Sequence, residues 1–283
     1  MVIFDLGKVL IKTNRKKIIF ELSKYNLAHY WLVENKKLTD LQNILFSIME
    51  KNHGEGKHSI YPALFEDWLL SRKTNETISR IVTRDINNSN TVSYHTKKLL
   101  LSLTKIMFDP VKFAEMMDEH SGGVALLKMM PPDVPLYLIS NYDSQAFDKV
   151  RNRFPDTLRR FRDFLISGKE NLMKPEKNIY DLAMKRWGIT DPSRVLYIDD
   201  ERDNVQMAKS LGFETVLFTD FESAILSIKG IIQRGEMQIQ SRPIKRERQD
   251  DSESGGGYEG DEEDNGSEGY GVTQNGGEEH AQR

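Results

Sequence analysis

Val195-Leu196-Tyr197-Ile198-Asp199-Asp200-Glu201-Arg202-Asp203-Asn204-Val205-Gln206-Met207-Ala208-Lys209-Ser210-Leu211-Gly212-Phe213-Glu214-Thr215-Val216-Leu217-Phe218 reads as strand, helix, strand. Val195 to Ile198 is an unbroken apolar run, the pattern of a strand buried on both faces. Asn204 to Leu211 carries apolar residues at helical spacing and ends at Gly212. Thr215 to Phe218 is a second apolar run with β-branched residues. Parallel strands need a crossover, so two such strands joined by one helix are the unit of a parallel sheet. The carboxyl end of the first strand is acidic: Asp199-Asp200, with Asn204 one helical turn further on.

The same rhythm extends upstream. Val124 to Met130 reads as a helix stopped by Pro131-Pro132. Leu136 to Ile139 is a strand, Ser144 to Phe154 a helix, Phe164 to Ser167 a strand, and Ile179 to Trp187 a helix ending at Gly188. At the front, Val2-Ile3-Phe4 is a short buried strand that ends at Asp5. From residue 14 to residue 120 the alternation stops. Ile18 to Leu22, Leu41 to Met49, Phe65 to Leu70 and Lys97 to Leu103 carry helical periodicity, and the region is expected to be helical and largely strand-free. The expected fold is α/β. A doubly wound parallel sheet is built from residues 1–13 and 121–232, with an α-helical domain inserted at 14–120. Residues 240–283 are glycine-rich, acidic and nearly devoid of apolar side chains, and are expected to be a disordered tail.

Composition narrows the function. The chain has no cysteine, which excludes disulfides, thiolate metal sites and cysteine nucleophiles. No apolar stretch is long enough to span a membrane, and no signal-type segment opens the chain, so a cytoplasmic protein without a membrane partner is expected. The net charge of -3 argues against a nucleic-acid binder. That charge is unevenly spread. Residues 241–283 hold five Lys/Arg against twelve Asp/Glu, which leaves the body at +4, suited to a small anionic substrate. Arg242 to Arg248 reads as a charged linker, and the acidic tail as a solubilising segment or one that binds a protein partner the sequence does not name.

In doubly wound sheets, ligands sit beyond the carboxyl ends of the strands. There the sequence places Asp5, Ser140-Asn141, Lys174-Pro175 and Asp199-Asp200 with Asn204. This set suits phosphoryl transfer. A carboxylate can attack phosphorus, and a hard cation between the two anions lowers their repulsion. Asp5 and Asp200 can supply ligands to Mg2+, as can a backbone carbonyl near Gly7. Ser140 and Asn141 can donate hydrogen bonds to phosphate oxygens, and Lys174 adds a positive charge there. For each residue there is a plainer role. Asp5 and Ser140-Asn141 could be turn residues, Lys174 a solvated lysine, and Asp199-Asp200 the start of the next helix.

Taken in order, Phe4 to Leu10, Ser140-Asn141, Lys174-Pro175 and Asp199-Asp200 with Asn204 resemble the four motifs of the haloacid dehalogenase-like (HAD) hydrolases, over about residues 1–230. The helical insert resembles that family's first class of cap. The resemblance implies a Rossmann-like core, an Asp5 nucleophile, and Mg2+ held by Asp5, Asp200 and the Gly7 carbonyl. It further implies that Asp199 and Asn204 orient water and neighbouring groups, and that the cap sets specificity. Phosphatases of the family usually carry a second Asp two residues after the nucleophile, as acid and base; here that position is Gly7. Lys8, His29, His53, His58, His95 and His120 are the residues that could stand in, each with a plainer surface or core role, and Trp31 and Trp68 read as core. The expected activity is Mg2+-dependent hydrolysis of a small phosphate monoester, such as a sugar phosphate, through an aspartyl-phosphate. The alternatives are dehalogenation, phosphoryl transfer to a sugar, and a binding protein that has lost catalysis.

Overall fold

The apolar strand runs find their partners in one sheet. The computed structural model describes residues 1–32, 38–57 and 61–233, with side chains 25–32 left aside. Its strands are β1 (Val2–Phe4), β2 (Ile11–Thr13), β3 (Met117–Glu119), β4 (Leu136–Ser140), β5 (Asp163–Ile166), β6 (Leu196–Asp199) and β7 (Glu214–Leu217). Five of them form a parallel sheet in the order β5-β4-β1-β6-β7. β1 is central, with Val2 opposite Leu136 on one side and Leu196 on the other. It needs no polar alternation, because both faces are covered and all three of its residues are fully buried. Successive side chains still point to opposite faces. Phe4 joins the larger core, while Ile3 packs with Ile139, Leu165 and Tyr197 against Ile179, Tyr180, Ala183 and Ala208. Those last four lie on the helices Lys177–Trp187 and Arg202–Ser210.

Local signals set the boundaries. Gly188 takes the left-handed conformation, φ 64°, that closes Lys177–Trp187. β6 runs through Asp199, so the first acid of the pair is the last strand residue. The helix after it starts at Arg202 rather than Asn204, with Glu201 at its N-cap, so neither Asp199 nor Asp200 caps it. Phe221–Gln233 forms a closing helix that packs on Ser121–Met129, and the sequence reading had not marked it. Gly123 sits where that second helix crosses the loop after β1. A Cβ there would stand 1.7 Å from the Val9 carbonyl oxygen, so only glycine fits.

Between β2 and β3 the chain is helical, as expected, in Arg15–Leu32, Leu38–His53, Ala63–Leu69, Asn75–Asn88, Tyr94–Met107 and Pro110–Glu115. Three begin at side chains that accept from the first turn: Thr74 from Thr77 N, Ser93 from Thr96 N, and Asp109 from Val111 N and Lys112 N. One expectation is corrected. Residues 117–119 are not helical; they pair antiparallel with residues 11–13, Thr13 opposite Met117 and Ile11 opposite Glu119. A three-residue strand has no measurable periodicity, and its partner lies far away in sequence. The expected tail at 240–283, and His58, fall outside the described residues, as do the side chains of His29 and Trp31. Among the described residues no helix is long and apolar enough to cross a membrane.

Candidate active site

Asp5, Ser140, Lys174, Asp199 and Asp200 meet at the carboxyl edge of the sheet, because β1, β4 and β6 are parallel and end together there. Lys174 is the hub. Its Nζ lies 2.6 Å from Asp5 Oδ1 and 2.6 Å from Asp199 Oδ2, and the residue is 3% exposed. Its position is fixed from behind by Asn141. The Asn141 amide donates to the Lys174 carbonyl oxygen at 2.8 Å and accepts from the Lys174 backbone N–H at 2.9 Å. Both ends of that side chain are thus engaged in holding the lysine loop.

Asp199 is fully buried and saturated. One oxygen accepts from Lys174 and the Tyr197 hydroxyl, the other from the Glu201 N–H and the Asn204 amide. Tyr197 was not singled out in the sequence; its hydroxyl sits one full pleat before Asp199, on the same face. Asp5 differs. Its Oδ2 accepts no hydrogen bond among the described residues and faces the space above Gly7. The Ser140 hydroxyl also has no partner there. Among the described residues no fully buried side-chain polar atom is orphaned, so both oxygens retain some exposure.

The charges are strongly coupled. Burial pushes the Asp5 carboxyl up to about 7 despite the pull of Lys174, and Asp199 and Asp200 add to the rise. Burial likewise raises Asp200, against Lys8. Burial works against the Lys174 ammonium, yet Asp199 and Asp5 outweigh it and hold Lys174 above the ordinary lysine value. Lys8 is opposed by burial but carried up by Glu201 at 2.6 Å and Asp200 at 3.0 Å. Lys8 is thus held as an ammonium between the two carboxylates. His53 pairs with Asp85 at 2.6 Å, and His120 caps the helix Ser121–Met129 through Gly123 N. His95 meets Tyr94 edge to face. None of the three lines the cleft.

Oxygens of Asp5, Asp199 and Asp200 lie within 4.8 Å of one another. With Glu201, four carboxylates face two lysines, a deficit of two positive charges when all are ionised. The donor set thus fits a hard divalent cation. Because Asp199 has spent its lone pairs, Asp5 and Asp200 are the carboxylates free to ligate.

A cavity of about 450 Å3 runs from Gly7, Lys8 and Asn141 up into the helices between β2 and β3. Its wall includes Phe46, Tyr61, Phe65 and Trp68, whose rings form a continuous array 4.8 to 6.4 Å apart. Trp68 is both core, as the sequence suggested, and lining. The Tyr61 phenol is raised by burial and senses the charges of Glu201, Lys8, Asp5 and Lys174, which places this helical-region residue beside the carboxylates.

This sheet, with acids and a buried lysine at one edge, defines a hydrolase of the haloacid dehalogenase-like class. The model of that family, described as haloacid dehalogenase-like hydrolase, matches residues 1–212, and the chain belongs to it. Among solved structures, a HAD family enzyme from Bacteroides thetaiotaomicron, a mutant in complex with magnesium and inorganic phosphate, is similar at 20% identity and a TM-score of 0.52. The match covers 77% of this chain and 93% of that one. A HAD-like family hydrolase from Porphyromonas gingivalis is similar at 21% identity and a TM-score of 0.50, over 82% and 97% of the two chains. No curated protein matches the chain.

Proposed function

We propose that this hydrolase cleaves phosphate monoesters, with Asp5 as the nucleophile and Mg2+ held by Asp5, Asp200 and the Gly7 carbonyl. The observation that carries the reading is the Lys174 ammonium bridging Asp5 and Asp199, next to an Asp5 oxygen that no donor claims. Magnesium, when bound, neutralises charge shared between the carboxylates and the phosphate. Asp5 attacks phosphorus and forms an aspartyl-phosphate, while the ester P–O bond breaks with its electron pair on the leaving oxygen, which takes a proton, ultimately from solvent water, to depart as the alcohol. Water then attacks the phosphorus, releasing inorganic phosphate and restoring Asp5. Lys174 and the Ser140 hydroxyl hold the phosphoryl oxygens, while Asn141 positions Lys174 and Asn204 positions Asp199. The helices at 14–120 act as a cap over residues 1–13 and 121–232, and their cavity takes the rest of the substrate. The Bacteroides enzyme's complex with magnesium and inorganic phosphate supports the same ligands here.

The test is hydrolysis of a phosphate-ester panel with Mg2+, beside Asp5→Asn and a chelated sample. Turnover is expected only in the wild type with metal, and labelled phosphate should be trapped on the chain by acid quench. Equal rates for wild type and Asp5→Asn would sink the reading.

A further inference from the structure

Tyr61 stands on the cavity wall at the end that holds the carboxylates. It lines the same space as Gly7, Lys8 and Asn141, and its ring packs on Phe46 and Phe65, with centroids 6.4 and 5.1 Å away. The segment that carries it is pinned in two directions. Glu55 and Pro62 form a bridge, and the Gly56 N–H donates to the Tyr61 carbonyl oxygen at 2.8 Å. A Cβ at Gly56 would stand 2.4 Å from both that oxygen and the Glu66 carboxylate, so the close turn needs glycine. Beside it, the Lys57 N–H donates to Glu66 Oε2 at 2.8 Å, and the Lys57 ammonium meets Glu176 Oε1 at 2.7 Å. Glu176 follows Lys174 by two positions, so the segment bearing Tyr61 is tied down next to the loop of the buried lysine.

The Tyr61 hydroxyl has no hydrogen-bond partner among the described residues and retains some exposure. Burial holds the phenol above its ordinary value. Glu201 and Asp5 add to the rise while Lys8 and Lys174 oppose it, so the hydroxyl keeps its proton at neutral pH. Direction matters as well. An in-line attack from Asp5 drives the leaving oxygen to the side of phosphorus away from the sheet edge, toward the cavity that takes the rest of the substrate. Tyr61 lines that cavity.

We propose that Tyr61 is a catalytic residue supplied by the inserted helices, whose hydroxyl protonates the leaving oxygen of the ester. The proposal rests on the phosphatase reading above. As the bond from Asp5 to phosphorus forms, the ester P–O bond breaks and its electron pair goes to the leaving oxygen. That oxygen takes the Tyr61 proton and departs as the alcohol, leaving a phenolate. An alkoxide is a far stronger base than a phenolate, so the transfer runs downhill as the bond breaks. In the second step a water attacks phosphorus and gives its proton to the phenolate. The Asp5–phosphorus bond breaks, inorganic phosphate leaves, and both Tyr61 and Asp5 are restored. The charges of Lys8 and Lys174 stabilise the phenolate in between.

Single-turnover release of the leaving group tests this, with the full chain and Mg2+ in excess over the ester. The probes are 2-naphthylmethyl phosphate, whose alcohol needs a proton to leave, and 4-nitrophenyl phosphate, whose phenolate does not. Tyr61→Phe keeps the ring and removes the proton. It should slow release of the naphthylmethyl alcohol by roughly a hundredfold and change release of 4-nitrophenolate by less than about threefold. The ester concentration for half-saturation should stay the same for both. Equal slowing of both esters would assign Tyr61 a packing or binding role and overturn the proposal. No slowing of the naphthylmethyl ester would overturn it too, as would a wild type that cleaves the nitrophenyl ester alone. If neither ester is cleaved above the Asp5→Asn level, the underlying phosphatase reading falls instead.

Discussion

Lys174 shows how one buried side chain decides the state of its neighbours. It is the shared counter-charge of two carboxylates that burial would otherwise disfavour. Lys174→Met keeps the volume but leaves Asp5 and Asp199 without a cation, and a loss of about 3–5 kcal/mol is expected. Urea unfolding of the metal-free proteins checks it, and a change under 1 kcal/mol, roughly what a surface pair is worth, would contradict the geometry. Asp5 gives a pH signature. Its carboxyl rises from 3.8 to about 7 on folding, so between those values the folded chain holds a proton that the unfolded chain has released. Stability of the metal-free protein therefore falls as pH rises through that window. Asp5→Asn should flatten that slope in thermal melts from pH 4 to pH 7. Much of this site was legible in the sequence, because Asp5, Ser140 and Asp199-Asp200 stand where an apolar strand run stops. What was not legible was the partner of each group. Asn141 read as a phosphate donor, and the fold adds a second task, since its amide is also tied to the Lys174 backbone.

At the scale of elements, Asp143 joins the sheet domain to the inserted helices. Its carboxylate caps the helix Ser144–Arg153 through Ala146 N at 2.9 Å. It also accepts from Ser71 Oγ at 2.7 Å and Asn75 Nδ2 at 2.9 Å. Asp143→Ala removes the cap and the acceptor shared by Ser71 and Asn75, which keep Ser144 Oγ and Gln145 Oε1 as partners, a combined cost of roughly 1–3 kcal/mol. Asp143→Asn can still accept and should recover part of it. Denaturant midpoints for the two variants would show the difference, and an equal loss would place the effect elsewhere. The long βαβ alternation was readable because both strands and helices impose a period. β2 and β3 carry no period of their own, and their pairing spans the whole helical segment. The array of aromatic rings was equally hidden, since Phe46, Tyr61, Phe65 and Trp68 look like ordinary core residues until the fold lines them along one cavity.

For the molecule as a whole, the deficit of positive charge at the sheet edge couples metal binding to stability. A cation that binds only the folded form adds about 2.7 kcal/mol at a hundredfold excess over its Kd. Mg2+ should therefore raise the Tm of the wild type and do so far less in Asp200→Asn, read by calorimetry with and without chelator. An equal shift in both would place the ion elsewhere. The β2–β3 ribbon has a consequence for engineering and descent. Thr13 and Met117 face each other as antiparallel partners, so the two ends of the helical segment already meet like the mouth of a hairpin. A two-residue Asn-Gly turn could join them and excise everything between without breaking a strand of the main sheet. In gene terms the segment behaves as a cassette. Its junction needs only a turn, and what the host sheet gives up on losing it is the shared core and the Asp143 contacts with Ser71 and Asn75.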